Sequence, residues 1–304
     1  MEDRLIKFAR IIDAGSFTRA AQLLHISQPA LTTAIKKLER ELHAELLIRS
    51  SHAFSLTTAG KIAYDTAKIV IAQTQNLETH LREAAGQKVR LNVGMIDSIA
   101  HLLFIQNAYL EELEQGAQVS LSIDNSSRLI ASVDHDELDV ALITQPARLL
   151  ASLTAHKVGD EPLVLVIGTE HVSRLQKQIA SGQVDHFLSY NQASLTFQIV
   201  SEYFHTHGVA LEPTFYSTSP EIMLQLVLAG RGAAVLPYLL VKPYITDKTI
   251  TALRLAPGAN ITRTIIGVHR TGRLLSGQTE ALLTHIKDEL ETLSREAAAL
   301  PKLP

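Results

Sequence analysis

Apolar residues recur at helical spacing through the first part of the chain. Leu5, Phe8, Ala9, Ile11 and Ile12 make one stripe that Gly15 can end. Phe17, Ala20, Ala21 and Leu24 make a second, shorter one that Ser16 can cap. After His25-Ile26, Ser27 is placed as an N-cap with Pro29 in the first turn, where its missing N–H costs little. The helix that follows is expected to bury Ala30, Leu31, Ile35 and Leu38 and to present Gln28, Thr32, Thr33, Lys36 and Lys37. Short helix, tight turn and polar-faced helix is the order of a helix-turn-helix; glutamine and threonine reach base edges and lysine reaches phosphate. A plain three-helix bundle with a solvated face fits the same periodicity. Residues 46–49 and 54–56 are apolar runs around the polar Ser50-Ser51-His52-Ala53, which reads as a β-hairpin wing. Thr57 then caps a long helix over 58–85, ended by Gly86. Along it Ala63, Val70, Leu77 and Ala84 recur at sevenfold spacing, with Ala67, Thr74 and Leu81 four later. This a/d seam wants a partner helix, although a helix lying on its own domain would show a similar stripe.

From Val89 the pattern changes. Strands are predicted at 89–94, 118–123 and 139–143, with helices at 98–112 and 127–133 between them. A second set follows: strands at 163–167, 187–190, 214–217 and 233–236, helices at 172–180, 195–207 and 220–228. A return strand at 265–268 precedes a final helix at 278–293, and the Ala-rich tail after Ser294 is expected to fray. Such alternation predicts an α/β body with a mainly parallel sheet covered on both faces.

Length and composition narrow the function classes. The 304 residues suffice for two or three domains, and 46% apolar with 19% charged is a globular composition. With no cysteine there is no thiolate metal site or thiol redox chemistry, and a cytosolic location is the expectation. No apolar run approaches the ~18–20 residues of a membrane span, so no membrane partner is expected. The net charge of −3 hides a division: residues 1–61 carry nine basic and six acidic residues, the remainder 19 and 25. A basic head on an acidic body suggests different partners for each. Enzyme signatures such as HExxH, Gly-x-Ser-x-Gly and Walker A do not occur. Gly230-Arg231-Gly232 lies between a helix and a strand, where a helix stop and tight turn explain it better than a phosphate loop. His101, His171, His205 and His207 lack metal-ligand spacing, and Asp134-His135-Asp136-Glu137 reads as a solvated turn. No catalytic residue, metal or cofactor is expected, and the chain does not read as an enzyme.

Several motifs together are more specific. Gly15-Ser16-Phe17-Thr18-Arg19-Ala20-Ala21, Ser27-Gln28-Pro29-Ala30-Leu31, residues 35–39 and Thr57-Thr58-Ala59-Gly60 resemble the winged helix-turn-helix of LysR-type transcriptional regulators over roughly residues 5–60. The resemblance implies an α/β protein: a winged helix-turn-helix at 1–57, a linker and dimerisation helix at 58–86, and a two-lobed, periplasmic-binding-protein-like (type 2) effector domain. Its lobes would be 88–160 plus 266–304 and 161–265, with crossings near 159–162 and 264–267. Implied base contacts are Gln28, Pro29, Thr32 and Thr33; implied phosphate contacts are Ser27, Lys36, Lys37, Arg49, Ser51 and His52. The implied partners are a double-stranded DNA operator, a small effector, further copies as dimer or dimer of dimers, and RNA polymerase.

In such a body the cleft faces strand ends and helix N-termini, which favour a polar or anionic metabolite. Asp97, Ser98, Asn125, Ser126, Ser127, Thr144, Asn191 and Thr218 occupy those junctions, each also a capping residue type. One departure matters: where the family commonly has Ser-Arg, this chain has Thr32-Thr33. That removes a bidentate guanine donor, so relatives' operator preferences do not transfer. It also keeps alive an alternative, a cytosolic small-molecule-binding module with a degenerate DNA-binding head.

Overall fold

Three short helices open the chain: α1 (Glu2–Ala14), α2 (Phe17–Leu23) and α3 (Gln28–Glu41). The computed structural model describes residues 1–49, 54–105, 107–254 and 261–302. Two compact units emerge, Met1–Gln87 with Arg270–Leu274, and Lys88–His269 with Leu275–Pro304.

In the first unit Phe8, Ile11, Leu31, Ile35 and Leu38 are fully buried and share one core with Ala20, Ala21 and Leu46. Ala30, expected inside, is exposed. Leu31, Ile35 and Leu38, at i, i+4 and i+7, set the buried stripe, and a methyl offers little area to draw the helix round. Strands β1 (Leu47–Arg49) and β2 (Phe54–Leu56) pair antiparallel with Leu47 opposite Leu56, while the hairpin tip, 50–53, lies outside the described residues.

Helix α4 (Thr58–Ala84) begins where Thr57 Oγ1 accepts from the Gly60 N–H at 2.8 Å. The Leu46 carbonyl accepts from Thr57 N at 3.1 Å, and a Cβ on Gly60 would stand 2.0 Å from that same oxygen. Glycine there follows from close approach. The predicted seam divides. Of its members Ala63 and Ala67 are buried in their own unit, Ala67 clustering with Ala9 of α1 and with Ile71, which lies off the seam, whereas Leu77 and Leu81 are each 60% exposed. Buried Asn76 clasps the 272–274 segment, donating to Gly272 O at 3.1 Å and accepting from Leu274 N at 3.0 Å.

The second unit begins with β3 (Val89–Met95), α5 (Asp97–Ile105), α6 (Asn107–Gly116), β4 (Ala117–Ile123), α7 (Ser126–Asp134) and β5 (Val140–Thr144). The long β6 (Leu153–Gly168) leads to α8 (Val172–Ala180), β7 (Gln183–Tyr190), α9 (Leu195–Thr206), β8 (Ala210–Ser217), α10 (Pro220–Leu228) and β9 (Ala233–Pro237). Then come α11 (Tyr238–Thr246), β10 (Ile250–Leu253), β11 (Thr262–Arg270) and α12 (Gly277–Ala298). Among the described residues nine strands form one sheet in the order β4-β3-β5-β11-β6-β9-β7-β8, with β10 on β6.

Pairs β3/β4, β3/β5, β7/β8 and β7/β9 are parallel, while β5/β11, β6/β9 and β6/β10 are antiparallel. The sheet is therefore mixed rather than mainly parallel, because β6 and β11 run back between the two parallel sets. The helix expected at 98–112 is described on either side of residue 106, as Asp97–Ile105 and Asn107–Gly116. Helix α11 is not expected from the sequence, since Pro243 lies inside it; burial of Leu239, Leu240 and Val241 outweighs that cost. The tail is held rather than frayed: α12 buries Leu293 and Ala297, and Arg254 donates to Leu300 O at 2.8 Å and Pro301 O at 2.9 Å. Of the two glycines, Gly230 ends α10 with φ 69°, but Gly232 answers close packing, its hypothetical Cβ falling 2.0 Å from His186 O.

Candidate functional site

Two surfaces gather polar groups, one in each unit. On the first, Ser27 caps α3 by accepting from Ala30 N at 3.3 Å. Gln28 is exposed, and its Oε1 accepts from the Thr18 hydroxyl at 3.1 Å, which turns the amide NH2 outward as a donor. Pro29 is exposed and its carbonyl accepts from the Thr33 hydroxyl at 2.9 Å. Thr33 thus spends its only hydroxyl hydrogen on its own helix and presents a methyl and an acceptor. Thr32 is half-buried; Lys36 and Lys37 are exposed. Behind this face Glu39 accepts from Leu46 N at 3.0 Å, tying α3 to the hairpin. Arg49 ends β1, its side chain outside the described residues along with Ser51 and His52.

In the second unit a cavity of about 650 Å³ is bordered by all eight polar residues expected at strand and helix ends, Asp97, Ser98, Asn125, Ser126, Ser127, Thr144, Asn191 and Thr218. Local chemistry sets each one. Asn125 is the N-cap of α7, accepting from Arg128 N at 3.1 Å, and so displaces the helix start by one residue to Ser126. Ser126 Oγ accepts from Thr144 N at 3.3 Å, and Asn191 Oδ1 accepts from Ala193 N at 3.0 Å. Ser98 is fully buried in the first turn of α5.

Three residues that the periodicity did not single out, Arg263, Thr196 and Tyr190, line the cavity's floor, and Glu161 lies against the first of them. Arg263 of β11, 5% exposed, donates to Glu161 of β6, to Thr196 Oγ1 at 2.7 Å and to Ser98 Oγ at 2.6 Å. Burial works against the guanidinium charge, but Glu161, Tyr190 and Asp97 together outweigh it and raise its pKa. Tyr190 also borders the cavity, and its buried hydroxyl has no hydrogen-bond partner. Burial pushes that phenol's pKa well up, so it remains a donor at physiological pH. Asp97 is raised too, mainly by burial and partly by Asp124, with Arg263 opposing.

The histidines sit elsewhere. His171 meets Glu170 at 3.2 Å, and His207 stacks on Tyr203. Among the described residues no group of three His, Asp or Glu could hold a metal, and no helix is long and apolar enough to cross a membrane.

The helix-turn-helix model of bacterial regulatory proteins of the lysR family matches residues 3–61, and the LysR substrate binding domain matches 84–291. The chain is 27% identical over 234 residues to the Hca operon transcriptional activator HcaR of Escherichia coli, covering 75% of this chain and 78% of that one. It is also 27% identical over 299 residues to a hydrogen peroxide-inducible genes activator of Dickeya chrysanthemi, covering 93% and 94%. A full-length OxyR variant from Pseudomonas aeruginosa shares the fold with a TM-score of 0.62 at 23% identity, over 97% of this chain and 96% of that one. A helix-turn-helix head, a mixed α/β body with a polar cavity, and family matches over both parts lead to one conclusion: the chain belongs to the LysR family of transcriptional regulators.

Proposed function

We propose that this regulator binds an operator through the exposed face of α3 and switches in response to a small polar molecule held in the cavity of the second unit. The observation that carries the reading is the convergence of eight polar residues, from helix and strand ends far apart in sequence, on one cavity over a buried arginine. Gln28, Pro29, Thr32 and Thr33 would meet bases; Ser27, Lys36, Lys37, Arg49, Ser51 and His52 would meet phosphate. The lobes would divide near 159–162 and 264–267, where β6 and β11 run between the two parallel strand sets. Exposed Ile62, Ile69, Leu77 and Leu81 on α4 support pairing with the same helix of a second copy. The peroxide response named for one relative does not carry over as thiol chemistry, because this chain has no cysteine.

The test is a footprint on the DNA flanking the coding region, combined with a reporter on that DNA read across nutrient sources. The parent protects a discrete site and switches the reporter under at least one condition. Ser126→Ala and Asn191→Ala keep the footprint and lose the switch. A chain that binds no discrete DNA would instead be a small-molecule-binding module with a degenerate head, the reading that Thr32-Thr33 favours.

A further inference from the structure

The charged groups bordering the cavity are unevenly matched. Arg263 is neutralised by Glu161 beneath it, and Arg128 pairs with Asp124 at 3.3 Å. Asp97 makes no salt bridge of its own among the described residues of the cavity wall, although Arg263, already matched by Glu161, attracts it. A simple anion would therefore enter a cleft that already holds surplus negative charge.

The floor nonetheless has donors to offer. Ser98 and Thr196 each receive an N–H from Arg263 on their oxygen, so the single hydrogen of each hydroxyl is left to donate, polarised by the charged donor behind it. Tyr190 adds a third hydroxyl, shielded from solvent and without a partner, which a ligand acceptor would satisfy. The two features call for opposite charges in one molecule. We propose that the cleft selects a small zwitterion of the amino-carboxylate class, its protonated amine held by Asp97 and its anionic group received by the hydroxyls of Ser98, Thr196 and Tyr190. The proposal rests on the cavity being the effector site and narrows the ligand to a class.

Three panels decide it, offered to the full-length chain by calorimetry: the proteinogenic amino acids, their des-amino carboxylates with inorganic sulfate, and neutral pentoses and hexoses. At least one amino acid binds, and its des-amino counterpart does not. Asp97→Asn weakens that amino acid roughly 10- to 100-fold, the loss expected for a hydrogen bond to a charged group. Tyr190→Phe weakens it as well, yet leaves the melting temperature of the ligand-free protein equal or higher, because it removes a hydroxyl that had no partner. A merely structural tyrosine would move melting and binding together. The zwitterion is overturned if a des-amino carboxylate or a sugar binds as tightly as any amino acid, or if Asp97→Asn leaves amino-acid binding unchanged. If in that case Tyr190→Phe still weakens the bound anion or sugar, the cavity stands as the sensor. Binding by no panel member also overturns the zwitterion, and the nutrient reporter then decides the cavity reading separately.

Discussion

The outer face of α3 and the floor of the cavity both display polar side chains, but they are held in opposite ways. On α3 the ties are short: Gln28 to Thr18, ten positions away, and Thr33 to Pro29, four. In the cavity Arg263 reaches Glu161, Thr196 and Ser98, which are 102, 67 and 165 positions distant. The lysines on α3 are exposed, so water and salt screen them and each adds little to stability. Arg263 and Glu161 are 5% and 1% exposed, where an unmatched charge is costly. Substitution should therefore separate stability from binding on the first surface and join them at the second.

The largest expected effect breaks the buried pair. Arg263→Met leaves the Glu161 carboxylate without its counter-charge and should destabilise the second unit by about 3–5 kcal/mol, seen by urea unfolding. Glu161→Leu with Arg263→Met should recover most of the loss, since an apolar pair of similar volume is often neutral. A silent Arg263→Met would erase the contrast between the two surfaces.

The same contrast explains what was legible in the sequence. The α3 face follows from a period of 3.6 and a cap, both contained within fourteen residues of helix and its neighbours. The polar residues around the cavity follow from strand-helix alternation, which places junctions without showing which of them meet. Arg263, Glu161 and Tyr190 lie within strands, and Thr196 inside a helix start, so no local pattern marks them. One signal was available. Glu161 and Arg263 are opposite charges at the edges of two apolar runs, and buried strands tolerate charge only when it is paired. The divided seam of α4 was illegible for another reason: Ala67 and Leu77 share one heptad pattern, but α1 reaches only the first of them.

A smaller effect sharpens the first surface. Gln28→Ala should cost about 1–3 kcal/mol of operator binding and spare random DNA, as removal of a base contact does. Thr18→Ala removes the hydroxyl that holds the Gln28 amide and should lose part of the same discrimination, about 1 kcal/mol, the usual worth of one neutral hydrogen bond. Fluorescence anisotropy on both DNAs separates the cases. Equal loss on random DNA would assign Gln28 to the backbone. If Gln28→Ala makes Thr18→Ala silent, the two act as one unit.

The smallest change per residue concerns Lys36 and Lys37. Both are exposed, and Lys37 lies within Coulombic reach of Glu41. A lysine on a phosphate releases condensed counterions, so its contribution appears in the salt dependence of binding more clearly than in affinity at one salt concentration. Each lost contact should flatten the slope of log K against log salt by about 0.9, and Lys36→Ala with Lys37→Ala by about twice that. The flattening should be the same on operator and random DNA, because phosphate carries no sequence information. Unfolding in urea should move by less than about 0.5 kcal/mol, as for other exposed positions away from caps and cores. An unchanged slope would place both lysines off the DNA and shift the phosphate contacts to the hairpin. A slope that flattens only on operator DNA would instead make them base readers, and the division of labour along α3 would have to be redrawn.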